Sequence, residues 1–198
     1  MEKRSYTMRE RARSQDETRQ RIVEAIMHLH EELGPRATTI SAIAHKAGVQ
    51  RLTVYRHFPD DAAIFQACTA HWRSLFPPPD PVDWADKTDP REKALAALKA
   101  FYTYYQATRR MWTVSLRDVD EVAALQPPVA EFAGFVTTVT DEIAASFGAD
   151  RRGQIAATLK HAFAFQAWSD LDAQGLADDE KLALVDGWLG GVCFPGSA

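Results

Sequence analysis

Residues 39–61, TISAIAHKAGVQRLTVYRHFPDD, set hydrogen-bonding and cationic side chains at helical spacing beside an apolar stripe. In a helix over about Gln50 to Phe58, Val54 and Phe58 face inward together with Val49, and Gln50, Arg51, Thr53 and Tyr55 occupy the opposite side. Amide, guanidinium and hydroxyl groups on one exposed helical face are the groups that read base edges in a major groove or hold phosphates. Other chemistry finds less support. There is no nucleophile motif, no glycine-rich phosphate loop behind a strand and no convincing constellation of acids and bases, so an enzyme is not expected. His28 and His30 are two apart and share no helix face; Cys68 and His71 are three apart and could, but a pair without further ligands is a weak metal signal. Neither a metal nor a cofactor is expected.

The elements that must position this face are legible nearby. From Thr18 onward, Ile22, Ile26, Leu29 and Leu33 recur at helical spacing, and Gly34 followed by Pro35 stops the first helix. Thr39 caps a second helix whose buried side is Ile40, Ile43, Ala44 and Ala47, and Gly48 supplies the left-handed turn into the third. Two helices joined by so short a glycine-containing turn make a helix-turn-helix. Asp60 caps a fourth helix with the stripe Ile64, Phe65, Cys68 and Trp72. FPPPDPVDW, residues 76–84, is the strongest break in the chain. After it, Asp89, Pro90 and Glu92 announce a helix carrying Leu95, Leu98, Tyr102 and Tyr105, and further helices are expected at 110–124, 128–147, 152–173 and 179–192. No segment alternates with period two. The fold expected is all-α: an N-terminal three-helix helix-turn-helix domain followed by a larger helical ligand-binding and dimerisation domain.

Charge is divided unevenly along the chain. The 198 residues carry a formal charge of -4, yet residues 1–58 hold 11 Lys and Arg against 7 Asp and Glu, while the remainder holds 12 against 20. A basic head on an acidic body points to a polyanion for the head alone. Two distant cysteines suit a reducing, cytoplasmic setting. The N-terminus has positive charges without an apolar run behind them, and no stretch of 18 apolar residues occurs, so neither secretion nor a membrane partner is expected. Residues 1–15 read as a basic flexible arm, 16–60 as the helix-turn-helix domain and 61–198 as the effector-binding and dimerisation domain.

That body is rich in aromatics, among them Phe101, Tyr102, Tyr104, Tyr105, Trp112, Phe132, Phe135, Phe147, Phe163, Phe165 and Trp168. Phe101 and Tyr104 lie off the stripe made by Leu98, Tyr102 and Tyr105, so this helix is either surrounded by others or lines a cavity. In the last two helices, Phe163, Ala167, Trp168 and Leu171, and Leu182, Val185, Trp188 and Leu189, form apolar sides broad enough for a second interface.

With RIVEAIMHLHEELG, ATTISAIAHKAGV and above all TVYRHF followed by proline and a new amphipathic helix, residues 18 to about 66 resemble the DNA-binding domain of the TetR family of transcriptional regulators. The resemblance implies a homodimer on a palindromic double-stranded operator, released by a small apolar or aromatic effector held in the body. It implies phosphate contacts from Thr39, Thr53, Tyr55 and His57 and base reading by Gln50, Arg51 and Leu52, with Arg9, Arg11 and Arg13 of the arm in the minor groove. For the effector it singles out Phe101, Tyr104, Tyr105, Trp112, Phe132, Phe135 and Phe163. The last two helices would pair with their twofold mates. Two departures bear on DNA: Leu52 stands where the family usually has a small residue, which touches specificity, and Asp61 stands where the family commonly places a phosphate-binding lysine.

Overall fold

The computed structural model describes residues 2–193, and those residues fold entirely into helices and connecting turns. The helices are α1 (Glu2–Leu33), α2 (Ile40–Ala47), α3 (Arg51–His57), α4 (Asp61–Leu75), α5 (Val82–Ala85), α6 (Pro90–Asp118), α7 (Gln126–Ser146), α8 (Arg152–Ala162), α9 (Phe165–Ala173) and α10 (Asp178–Cys193), with a 3-10 turn at Ala123–Leu125. They make up two compact units, one formed by Met1–Pro77 and Thr113–Val129, the other by Pro78–Trp112 and Ala130–Ala198.

In the first unit the apolar stripes meet as their spacing requires. Ile22, Ile26 and Leu29 of α1, Ile43, Ala44 and Ala47 of α2, Val54 of α3 and Phe58 behind it are buried, along with Ile64, Phe65, Cys68 and Trp72 of α4. Each large side chain so buried stabilises the unit by about 1.5–3 kcal/mol. Leu33, expected on the same stripe, is 46% exposed because it sits at the very end of α1. α4 packs on α1 and so belongs to this unit, although the sequence assigns residues 61–75 to the body.

The expected flexible arm is helical from Glu2 onward, as the beginning of α1. Residues 2–15 contain no Gly or Pro and are rich in Glu, Arg and other helix formers, and Arg13 Nε donates to Glu17 Oε1 at 2.9 Å one turn ahead. The side chains of Arg9 and Arg11, expected in the minor groove, lie outside the described residues.

Two helices differ in extent from their sequence reading. α6 runs unbroken to Asp118, without the restart expected at Arg110, because nothing between Tyr105 and Arg110 interrupts a helix; Thr108 simply returns its hydroxyl to the Tyr104 carbonyl at 2.5 Å. Conversely, the single helix expected over 152–173 is two, α8 and α9, divided at Phe163 and Ala164. The carbonyls released there are taken by α6: Tyr102 donates its hydroxyl to Ala162 O at 3.1 Å and Tyr105 donates to Phe163 O at 2.7 Å. Pro127, expected to mark a helix end, joins Pro128, the expected first residue of the next helix, in the first turn of α7, where a missing N–H costs nothing.

Elsewhere in the second unit an ion cluster built on the buried Lys181 ties α6, α9 and α10. Lys181 Nζ donates to Asp178 at 2.7 Å and Asp172 at 2.9 Å, Arg109 reaches Asp172 at 2.6 Å, and both cations lie against the Trp168 ring. Burial disfavours the Lys181 charge, but its two aspartates outweigh that and raise its pKa. Every charge in this cluster is paired, which is the condition for burying one without a large penalty.

Candidate nucleic-acid interface

α2 and its turn into α3 are fixed by three local devices. Thr39 Oγ1 accepts the Ala42 N–H at 3.2 Å, so the hydroxyl hydrogen stays available to donate outward. Gly48 takes the left-handed conformation (φ 66°, ψ 39°), and its N–H donates to His45 O at 3.2 Å; the Val49 N–H returns to Ala44 O at 2.9 Å. A side chain at position 48 would be strained, since L residues rarely adopt that φ.

α3 then shows the division its sequence demands. Val54 and Phe58 are buried, and the opposite side is open: Gln50 and Arg51 are exposed, Leu52 is 59% exposed and Tyr55 46% exposed. Thr53 and His57 are half-buried at the flanks. Arg19 of α1 lies 4.7 Å from the Phe58 ring centroid and holds the end of α3 down. Thr39, Gln50, Arg51, Leu52, Thr53, Tyr55 and His57 therefore all belong to the α2–turn–α3 segment of one unit, with the aliphatic Leu52 set among polar groups. Arg56, one turn after Leu52 and exposed, adds a cation that the sequence reading passed over; its place in TVYRHF four residues after Leu52 was the available signal. Lys46 of α2, by contrast, is engaged with Glu32 at 3.0 Å.

Asp60 and Asp61 separate in role as well as position. Asp60 Oδ1 accepts the Ala63 N–H at 2.8 Å and caps α4, whereas Asp61 is exposed in the first turn. Its charge complements the positive end of α4.

Behind the reader helices, His30 of α1 is buried between Cys68, whose Sγ lies 3.7 Å from His30 Nδ1, and Phe65, whose ring stacks at 5.0 Å. Burial lowers the His30 pKa to about 4 against the opposing pull of Asp118, and pushes the Cys68 thiol up to about 12. Both groups are neutral fillers of the core. Sequence spacing offered Cys68 only a weak pairing with His71; the imidazole at its thiol is that of His30.

In the second unit, the seven aromatics singled out for an effector come together. Phe101 stacks on Phe135 at 5.7 Å and meets Phe163 edge-on at 4.9 Å, Tyr104 stacks on Phe132 at 5.7 Å, Tyr105 meets Phe132 at 6.3 Å, and Trp112 sits 4.6 Å from Phe132. Phe101, Tyr105 and Phe163 are buried, while Tyr104, Trp112, Phe132 and Phe135 are each partly exposed. Phe165 joins them, 5.4 Å from Tyr105; its place right after the α8–α9 break hid it from a reading that assumed one continuous helix.

Residues 22–68 match the family model described as bacterial regulatory proteins, tetR family. Over 62 residues the chain is 40% identical to the HTH-type transcriptional regulator SrpR of Pseudomonas putida, covering 31% of this chain and 29% of that protein. It is equally similar to TtgW, an uncharacterized HTH-type transcriptional regulator of Pseudomonas putida, of which the match spans 46%. The aligned segment is thus less than half the length of either relative. The fold as a whole is similar to a TetR-like transcriptional regulator from Rhodococcus sp. RHA1, with a TM-score of 0.65 at 18% identity over 88% of this chain and 94% of that one. It is also similar to the fatty acid degradation regulator FadR from Bacillus halodurans, with a TM-score of 0.57 at 17% identity over 90% and 96% of the two chains.

Proposed function

We propose that this chain, which belongs to the tetR family of bacterial regulatory proteins through its helix-turn-helix segment, is a homodimeric cytoplasmic repressor that binds a palindromic operator and leaves it when a small apolar or aromatic effector occupies the body. The observation that carries this reading is the α3 face, where Gln50, Arg51, Leu52 and Tyr55 stand exposed on a base of buried Val54 and Phe58. Arg51 is suited to guanine O6 and N7, and Leu52 to a thymine methyl. Thr39 at the start of α2, with Thr53, Tyr55 and His57, is suited to phosphates.

Of the side chains expected at a second interface, Phe163, Ala167, Trp168, Val185 and Leu189 are buried within the chain itself; what supports pairing is the flank of α10 beside them, where Leu184 is 40% and Trp188 37% exposed. A twofold dimer with recognition helices one turn of duplex apart, roughly 34 Å, would read two half-sites. The effector works by binding better to the dimer geometry that does not fit the operator.

Fluorescence anisotropy of the purified protein with its own promoter region, titrated with salt, tests the DNA reading. Preferred binding of that duplex over random sequence, with a steep salt slope, is the expected result; equal binding of both counts against it. Asp61 favours a second reading, a small-molecule binding protein with weakened DNA affinity. Each phosphate contact missing removes about 0.9 from the logarithmic salt slope, so a shallow slope would favour that alternative.

A further inference from the structure

The indole N–H of Trp112 is a buried donor without a hydrogen-bond partner among the described residues. Its neighbours in the second unit meet the opposite condition. Tyr102 and Tyr105 spend their hydroxyls on the α8–α9 break, and Trp168 Nε1 donates to Asp178 Oδ1 at 3.2 Å. Buried donors are almost always paired, so an unspent one calls for a specific reason. The two rings beside Trp112, Phe132 at 4.6 Å and Phe165 at 6.3 Å, carry no acceptor for it.

Ring exposure around the donor is graded. Phe101, Tyr105 and Phe163 are buried, and Tyr104, Trp112, Phe132 and Phe135 are partly open to solvent. A flat apolar molecule can spread on the open rings while its polar atom reaches inward to a donor that lies out of solvent.

We propose that Trp112 is the polar recognition group of the effector site, and that the effector class is an uncharged aromatic carbonyl compound whose oxygen accepts the Trp112 Nε1–H. This rests on the reading of the aromatic cluster as the effector site and narrows it. The carbonyl is neutral because a carboxylate set among Phe132, Phe135 and Phe165 would lose its hydration without gaining a cation; Arg109, one turn before Trp112, is already committed to Asp172 at 2.6 Å. One hydrogen bond and several ring faces together fix both the position and the orientation of such a ligand.

The test compares acetophenone with ethylbenzene, which differ essentially in the carbonyl oxygen. Protein labelled with 15N-tryptophan gives one indole signal for each of its five tryptophans. Trp112→Phe, which keeps an aromatic ring and removes the N–H, identifies the signal of Trp112. In the native protein acetophenone should move that proton downfield and ethylbenzene should not, and the ketone should bind about five- to tenfold more tightly, the worth of one net hydrogen bond. In Trp112→Phe the two affinities should converge. Should that variant fold poorly, the native chain still decides, since a single indole signal must answer to the ketone alone. Equal affinities, or no indole signal specific to the ketone, would overturn the role of Trp112 while leaving an aromatic site in place. If neither compound binds at millimolar concentration, the effector-site reading itself fails, and this proposal with it.

Discussion

Asp118, in the last turn of α6, accepts the backbone N–H of Arg36 at 3.1 Å, joining two residues 82 positions apart. The same carboxylate accepts Arg117 Nε at 2.7 Å and Nη2 at 3.1 Å, and Arg117 Nη2 also donates to Leu33 O at 3.0 Å. Arg36 in turn pairs with Glu121 at 2.6 Å. The peptide between α1 and α2, which sets the direction of α2, is thus held from the end of α6.

Asp118→Asn tests this clamp. The amide keeps one acceptor and turns an NH2 group toward either Arg117 or the Arg36 N–H, at an expected cost of about 1.5–3 kcal/mol in urea unfolding. The Arg117 hydrogen bond, helped by the Arg36 N–H, holds the Asp118 pKa below the usual carboxylate range. A depressed folded pKa gives stability that is present above the unfolded value and lost as pH falls through the folded one. The gap between native protein and variant should therefore be full at pH 7 and close in strong acid. A gap that does not change with pH would show that the contact acts by shape alone.

Gly34 is fitted to the same clamp. Its φ of +92° suits glycine, and a Cβ there would meet Arg117 Nη2 and lie 2.5 Å from Asp118 Oδ2. Gly34→Ala should cost roughly 1–3 kcal/mol from backbone conformation alone, and more from the displaced ion pair. In Asp118→Asn the extra loss should shrink, because the pair that the methyl displaces is already weakened. A double-mutant cycle measures this, and strict additivity would argue against a shared clamp.

His30 makes a different pH prediction. The folded chain keeps it neutral down to about pH 4, while the unfolded chain takes up the proton near 6.5. Between these values the unfolded state binds more protons, so stability should fall as pH drops through that window and stay level above it, with a loss of about 2 kcal/mol between pH 7 and pH 5. His30→Phe keeps the stacking surface toward Phe65 and should remove most of this slope. Thermal unfolding of both proteins across the window is the check; parallel profiles would sink the assignment.

The elements that were legible in sequence are those whose signals are local. Thr39, Gly48 and Asp60 mark their caps by side-chain chemistry and by φ, and Val54 with Phe58 fixes which face of α3 is open. What was not legible depends on distant partners. The α8–α9 break has no Gly or Pro and is held by hydroxyls from α6, some 60 positions earlier. Continuity of α6 past Tyr105 follows from the absence of any breaker, a weaker signal than a breaker's presence. The helical run before Ser14 was masked by its charge, which suits a solvated helix as well as a loose arm. The Arg36–Asp118 link leaves no trace in spacing at all.

At the DNA face, Arg51→Ala and Tyr55→Phe should separate reading from holding. Loss of the guanidinium should cost roughly 1–3 kcal/mol on the operator and relax preference at one base pair, with random duplex much less affected. Tyr55→Phe removes a hydroxyl suited to a phosphate and should weaken all duplexes alike. Competition anisotropy with single-base operator variants tells them apart. An unchanged base preference in Arg51→Ala would remove that residue from the reading set.

The exposed side of α10 gives the last test. Leu184 and Trp188 are one turn apart and exposed, whereas Val185 and Leu189 beside them are buried; Trp188 also lies 6.1 Å from the His161 ring, so Leu184→Glu is the cleaner of the two changes. If this side is the twofold interface, Leu184→Glu and Trp188→Glu should each shift the chain toward monomer in sedimentation velocity, since an unpaired carboxylate in an apolar interface costs several kcal/mol. Far-ultraviolet circular dichroism should be unchanged. Operator affinity should then fall by orders of magnitude, because one α3 reads only a half-site, while acetophenone should still bind within the second unit. A variant that stays dimeric at micromolar concentration would place the interface on another face.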